Sequence, residues 1–216
     1  MLVYIIGALI AYLIGSFSTS LVIAKFKKKE LRSSGSGNLG ASNTTILLGF
    51  KWGVVVGLVD ILKCAIPVFL TRRFFFTDHY YLPFIVAACC ILGHIFPFYL
   101  KFKGGKGFAC LVGAILGYSC STNFLLIVIY AVAIIGITFI TNYIAIATTT
   151  CCITFPIAIG ILDRFASPSP SGSIIAGIIL LIPCIVIVCL HIPNYKRIIE
   201  GSEIGIKDAL SKKHRI

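Results

Sequence analysis

Residues 93–107 read GHIFPFYLKFKGGKG, a stretch that ends a long apolar run with a histidine and a proline. Its last seven residues, the Gly-Lys loop (101–107), contain three lysines and three glycines. Glycine lets backbone N–H groups converge on one small anion, because it lacks a Cβ and adopts positive φ without strain. Lysine adds a mobile positive charge. The pattern predicts a phosphate-binding loop where an apolar helix meets water.

The composition around this loop is typical of an integral membrane protein. The chain is 58% hydrophobic and 12% charged, with a mean hydropathy of +1.03. Apolar runs of about 18 residues or more indicate helices that span a bilayer. Such runs are 2–24, 53–70, 81–100, 123–140, 143–162 and 174–190. The first is too long for a cleaved signal peptide, so we expect it to be a permanent span.

The distribution of charge predicts the topology. Lysine and arginine total 19 against 7 acidic residues, and most of the excess lies in three clusters. These are Lys25, Lys27, Lys28, Lys29 and Arg32; Lys101, Lys103 and Lys106; and Lys196, Arg197, Lys207, Lys212, Lys213 and Arg215. The positive-inside rule places all three in the cytoplasm. Arg72 and Arg73 run against this assignment, and Asp78 partly offsets them.

The number of crossings can be deduced from these positions. If the Gly-Lys loop and the C-terminus share a side, an even number of helices must separate them. Three long apolar runs follow the loop, and the short run 108–118 would make the number even. At about 1.5 Å per residue it is too short to cross alone, but a helix starting in the Gly-Lys loop would extend it. We therefore expect a single all-α polytopic domain over residues 1–216. It would have seven transmembrane helices, an outside N-terminus and a cytoplasmic C-terminus. The alternative is five crossings and one re-entrant element.

Three polar patches lie on the predicted cytoplasmic face, at 34–44, 101–107 and 191–203. In the first, the side chains of Ser36, Asn38 and Asn43 are suited to an oxyanion or to hydroxyl groups, although a flexible loop also explains them. The second is not a Walker loop, and a basic turn on anionic lipid is the alternative. In the third, His191 and Asn194 share a face of a helical turn. Three such patches on one face favour a common site.

Two further features concern charges and ligands inside the apolar runs. Asp60 and Lys63 lie mid-membrane at helical spacing, and we interpret them as a buried pair that supports the loops. All nine cysteines lie in or beside apolar segments without metal-binding spacing, so we expect them to pack as small hydrophobic residues. Neither a metal nor a cofactor is expected, and nucleic acid is not an expected partner.

Taken in order, the motifs are SGSGNLGASN from Ser34, Asp60 with Lys63, GHIFPFYLKFKGGKGFA from Gly93, and HIPNYKRIIEGSE from His191. This set resembles the PlsY family of bacterial glycerol-3-phosphate acyltransferases over nearly the whole chain. The resemblance implies a seven-helix cell-membrane enzyme. It would move a fatty acyl group from acyl phosphate to the 1-position of glycerol 3-phosphate and so make lysophosphatidic acid. It also implies membrane lipids as surroundings and a soluble enzyme that supplies acyl phosphate.

The resemblance implies roles for individual residues. Ser36, His191 and Asn194 would be active-site residues, and Glu203 a structural one. The loop glycines and lysine would bind the phosphate of glycerol 3-phosphate: Gly104, Gly105, Lys106 and Gly107. His191 suits general base catalysis, while a phosphate oxygen of the substrate is the other candidate for taking the proton.

One departure bears on activity. Where the family continues its first motif with an arginine, this chain has Ile46. An aliphatic side chain cannot replace a bidentate guanidinium on phosphate. Lys101 and Lys103 are our candidates to supply the charge. The alternatives are a non-catalytic or retargeted relative that binds a phosphorylated lipid precursor, and a small transporter.

We predict that Ser36, Lys106 and His191 all face the cytoplasm, because the basic clusters and the crossing parity place their patches on one side. Single cysteine replacements at the three positions should react with a membrane-impermeant thiol reagent in inverted vesicles and not in intact cells. The unmodified chain gives the background labelling. Labelling of any one position from outside would contradict the seven-helix topology.

Overall fold

The computed structural model describes residues 1–33, 37–165 and 170–207, and the regular elements in these ranges are helical, with no strand. In chain order the α-helices are α1 (Leu2–Ser16), α2 (Thr19–Phe26), α3 (Ala41–Leu48), α4 (Phe50–Phe74), α5 (Leu82–Ile95), α6 (Phe108–Cys120), α7 (Phe124–Thr141), α8 (Ile144–Leu162) and α9 (Pro170–Ile199). Short 3-10 turns come after α5 at Phe98–Leu100 and after α8 at Asp163–Phe165.

The helices agree with the hydropathy prediction. Within the described residues, six segments are long and apolar enough to cross a membrane, and α6 is a shorter apolar helix. The prediction of an all-α membrane protein with seven apolar helices is therefore confirmed, whereas the orientation of the termini stays a prediction. The expectation that α6 would begin inside the Gly-Lys loop is wrong. It begins after Gly107 and has 13 residues, which span about 20 Å at 1.5 Å per residue.

The chain divides into two compact units, Met1–Ser121 and Thr122–Ile216. The first contains α1 to α6, and the second contains α7 to α9. The assignment of residues 1–216 to a single domain stays a prediction.

Close helix packing in the first unit depends on glycine. A Cβ at Gly93 of α5 would overlap the carbonyl oxygen of Tyr12 in α1, and a Cβ at Gly113 of α6 would overlap that of Ile61 in α4. Small residues allow this approach, and in a bilayer it matters because lipid gives little hydrophobic drive for helices to associate. The pairs α1–α5 and α4–α6 thus form the framework of the unit.

The first predicted span is interrupted, although the sequence predicted one continuous helix over 2–24. The chain leaves helical geometry at Phe17, between α1 and α2. The hydroxyl group of Tyr99 donates to the carbonyl of Ser16 at 2.6 Å, and Lys63 Nζ donates to the carbonyl of Phe17 at 2.7 Å. A break at membrane depth needs such partners, because lipid offers no hydrogen bonds to freed backbone groups.

Arg72, which runs against the topology prediction, is stabilised locally. Its guanidinium carbon lies 3.1 Å from the ring centroid of Phe76 and 5.3 Å from that of Tyr118. A cation over aromatic faces is attracted by their quadrupoles. These contacts provide a local reason for an arginine at this end of α4.

In the second unit, α8 packs against both α7 and α9. After α9 the chain returns to the turn between α7 and α8. There the N–H of Ile206 donates to the carbonyl of Asn142, and the N–H of Lys207 donates to Asn142 Oδ1, both at 2.9 Å. This docking fixes the segment that carries Glu203.

We expect Gly93→Ala to lower the free energy of unfolding by about 1–3 kcal/mol, because the added Cβ would force α1 and α5 apart. Thermal unfolding in detergent measures the effect. Gly136→Ala is the matched control, since a Cβ there would meet no atom within 4 Å. Equal melting temperatures for the two variants would contradict the packing argument.

Candidate functional site

The Gly-Lys loop folds back onto the end of α5. The N–H of Gly104 donates to the carbonyl of Ile95 at 2.9 Å, and the N–H of Gly105 donates to that of His94 at 3.1 Å. Carbonyls in the last turn of a helix lack intrahelical partners, and these two N–H groups supply them. The expectation that they point at a phosphate is therefore corrected. A role of the two glycines in phosphate binding stays a prediction.

Both positions are glycine for a steric reason. A Cβ at Gly104 would overlap the carbonyl oxygen of His94 and Cδ of Pro97. A Cβ at Gly105 would overlap the imidazole ring of His94. The loop therefore lies against the last turn of α5, at a distance that any side chain at these positions would prevent.

The part of the loop best suited to an anion is its end. Gly107, at φ 91°, is the N-cap of α6, and as a glycine it has no side chain that could cap the helix. The first N–H groups of a helix lack helical acceptors and carry partial positive charge, which favours an anion nearby. Lys106 directly precedes this terminus, and Lys101 and Lys103 are exposed earlier in the loop.

Arg32 contacts the residues at the start of the same loop, a contact that the sequence analysis did not predict. Its Nη2 donates to the carbonyl of Leu100 at 3.1 Å and to that of Lys103 at 3.3 Å. The partners are 68 and 71 positions away along the chain, so no local pattern could have revealed the contact. The structure thus places a guanidinium group at the start of the Gly-Lys loop.

The first patch is described only in part. Ser36 lies outside the described residues. Asn43 is completely buried, and its Nδ2 donates to the carbonyl of Leu31 at 3.0 Å, which fits an anchor for α3 better than a phosphate ligand. Asn38 is half-buried ahead of α3. Ile46, on α3, is 46% exposed.

Asp60 and Lys63 lie together, with a third residue that the sequence did not assign to them. Lys63 Nζ is 2.7 Å from Asp60 Oδ1, 2.7 Å from the carbonyl oxygen of Phe17 and 3.0 Å from His94 Nδ1. All three side chains are buried. The contacts with His94 and Phe17 join α4 to α5 and to the break between α1 and α2.

In the second unit, the ring of His191 is oriented by its own helix. Nδ1 of this buried histidine lies 2.8 Å from the carbonyl oxygen of Ile187. A carbonyl only accepts, so Nδ1 carries the proton and Nε2 of the neutral ring keeps its lone pair. This tautomer is the one that can accept a proton at Nε2.

Glu203 connects two residues at the end of α9. Its Oε1 accepts from Asn194 Nδ2 at 2.6 Å, and its Oε2 accepts from Arg197 Nε at 2.5 Å. Beside them, the hydroxyl group of Tyr195 donates to the carbonyl of Ala145 at 2.9 Å. The sequence motif contained Arg197 and Tyr195 but gave no reason to assign them a role.

Comparisons with known proteins agree with one family. A family model described as glycerol-3-phosphate acyltransferase matches residues 5–201. Glycerol-3-phosphate acyltransferase 1 of Oceanobacillus iheyensis is 34% identical, over 97% of this chain and 98% of the relative. The glycerol-3-phosphate acyltransferase of Geobacter sulfurreducens is 35% identical, over 92% of this chain and 95% of the relative.

Solved structures give the same result. A crystal structure of PlsY, described as an integral membrane glycerol 3-phosphate acyltransferase in its glycerol 3-phosphate form, superposes with a TM-score of 0.77 at 30% identity. The match covers 94% of this chain and 95% of that chain. The lysophosphatidic acid form of PlsY gives a TM-score of 0.75 at 29% identity, covering 96% and 98% of the two chains.

We expect Glu203→Gln to lower the free energy of unfolding by about 1 kcal/mol, because the neutral amide loses the charge-assisted bond to Arg197. The effect is modest because solvent partly screens this ion pair. Thermal unfolding in detergent is the measurement. Glu200→Gln removes the same charge from an exposed position three residues earlier and serves as the control. A Glu203→Gln variant as stable as the control would show that the contact is not structural.

Proposed function

The chain belongs to the glycerol-3-phosphate acyltransferase family, and we propose that it transfers a fatty acyl group from acyl phosphate to the 1-position of glycerol 3-phosphate, giving lysophosphatidic acid. It is a multi-pass membrane protein. The observation that carries the proposal is the position of Lys106, directly before the N-terminus of α6, in a loop bonded to the end of α5. A lysine and a helix N-terminus together suit a phosphate group, which both substrates contain.

Because acyl phosphate is already activated, the enzyme needs mainly to orient the two substrates and to stabilise the charge that develops during the reaction. The glycerol hydroxyl oxygen attacks the acyl carbonyl carbon, the bond from that carbon to the phosphate oxygen breaks, and inorganic phosphate leaves. Positioned cations and N–H groups stabilise the charge that develops on the carbonyl oxygen and on the leaving phosphate. The hydroxyl proton goes either to Nε2 of His191 or to a phosphate oxygen of the substrate.

Acyl phosphate must come from another enzyme, since this reaction consumes it. We expect that supplier to be a soluble protein acting at the cytoplasmic surface, where the three basic clusters are predicted to lie. The fatty acyl chain needs an apolar environment, which the membrane and the seven apolar helices provide.

Ile46 supports a second candidate function, a relative that binds a phosphorylated lipid precursor without this catalysis. The side chain is 46% exposed and offers no charge to a phosphate. Among the cations near the Gly-Lys loop, Arg32 is bonded to the carbonyls of Leu100 and Lys103, whereas Lys101 and Lys103 have exposed side chains. Arg32 therefore joins the two lysines as a candidate for the missing charge.

We expect purified wild type to form lysophosphatidic acid from acyl phosphate and glycerol 3-phosphate, and Ile46→Arg to be equally or more active because it adds a phosphate-binding guanidinium. Product formation is measured by mass spectrometry, and phosphate release by a coupled assay. Phe50→Arg adds the same charge at an exposed position of α4 and controls for charge alone.

The other outcomes separate the alternatives. An inert wild type whose activity appears only in Ile46→Arg would identify a disabled relative. If both proteins are inert yet bind glycerol 3-phosphate in calorimetry, the donor or the reaction differs from the proposed one.

A further inference from the structure

The ammonium group of Lys63 has one ion-pair partner and two hydrogen-bond acceptors. These are Asp60 Oδ1 at 2.7 Å, the carbonyl oxygen of Phe17 at 2.7 Å and His94 Nδ1 at 3.0 Å. An ammonium group only donates, so His94 Nδ1 must accept and the ring proton lies on Nε2. The contact therefore fixes both the tautomer and the orientation of the His94 ring.

The opposite edge of the same ring lies against the Gly-Lys loop. A Cβ built at Gly105 would overlap Nε2, Cε1 and Cδ2 of His94. The N–H of Gly105 also donates to the carbonyl of His94 at 3.1 Å. One histidine thus contacts Lys63 through one edge of its ring, and Gly105 through the other edge and its own carbonyl.

We propose that His94 is a positioning residue for the Gly-Lys loop. The Asp60–Lys63 pair holds the ring, the ring limits where Gly105 can lie, and Gly105 determines the position of Lys106 and of the first turn of α6. The inference rests on the proposed function only for the identity of the anion that the loop binds.

A pair that served stability alone would not need this arrangement. Buried charges inside membrane helices are costly and are commonly retained for function. Lys63 is also held in place from two sides, because its ammonium group contacts the carbonyl of Phe17 and the ring of His94, and moving it would leave a buried charge without these contacts. Rigidity is what a loop needs if it is to hold an anion in one place.

A double-mutant cycle tests the contact through the KM for glycerol 3-phosphate. Gly105→Ala alone should raise KM by about tenfold or more, because its Cβ collides with the His94 ring, while kcat changes less. His94→Asn keeps an acceptor for Lys63 but removes the ring, so it should raise KM by itself. In that background Gly105→Ala should cost less than about threefold, since residues in contact are not additive.

The matched control is Gly57→Ala, whose Cβ would lie at an ordinary 3.6 Å from Cβ of Ala41. Gly57→Ala should change the KM for glycerol 3-phosphate only slightly, and by the same factor with and without His94→Asn. Equal effects of Gly105→Ala in both backgrounds would overturn the proposal.

Hydrogen–deuterium exchange of the intact protein in detergent provides a readout that needs no activity. His94→Phe keeps a ring but cannot accept from Lys63, so amide exchange in a peptide covering 101–108 should accelerate by about tenfold, with α9 unchanged. If the loop peptide exchanges as in wild type, the proposal fails. Should His94→Phe not fold, His94→Asn serves for the same measurement.

The two readouts separate this inference from the proposed function. If wild type transfers no acyl group but the His94 variant loosens the loop, the function fails and the positioning role stands. If transfer occurs while the cycle is additive and the exchange is unchanged, the positioning role fails and the function stands.

Discussion

The burial of the Lys63 ammonium group is the constraint on which the first unit depends. An unpaired charge among apolar helices would cost several kcal/mol, so every N–H of this group needs an acceptor. The break at Phe17 frees a backbone carbonyl at membrane depth, and Lys63 donates to that carbonyl at 2.7 Å. The break would be costly without the lysine, and the lysine would lack an acceptor without the break. Asp60 and His94 complete the set and connect it to α4 and α5.

Glycine in the Gly-Lys loop has a different purpose from the one its pattern indicates. A run of glycine and lysine predicts N–H groups gathered around a phosphate. In the structure, the N–H groups of Gly104 and Gly105 complete the C-terminal turn of α5 instead. The groups suited to an anion come directly after them, at Lys106 and the N-terminus of α6. Any contribution of these glycines to anion binding is therefore indirect: they lie close to α5, and we propose that this determines where Lys106 and the start of α6 lie.

The predictable features were those encoded locally. The runs 123–140 and 143–162 correspond closely to Phe124–Thr141 and Ile144–Leu162, because hydropathy is a property of neighbouring residues. The break at Phe17 was not predicted, since it depends on acceptors and donors supplied by α4 and by Tyr99. The contact of Arg32 with the loop was missed for the same reason. In the second unit, the motif identified Asn194 and Glu203 as candidate residues. The hydrogen bond between them was not predicted, because it depends on the turn of the chain after α9.

The carboxylates of the described motifs are already engaged by neighbouring side chains. Asp60 lies 2.7 Å from the ammonium group of Lys63, and Glu203 accepts from both Asn194 and Arg197. Each carboxylate therefore holds neighbouring side chains in place, which is a structural role. His191 differs, since its Nδ1–H is bonded to the carbonyl of Ile187 and the lone pair lies on Nε2. Among the residues that the motifs assign to the active site, His191 stays the candidate base, and a phosphate oxygen of the substrate is the alternative.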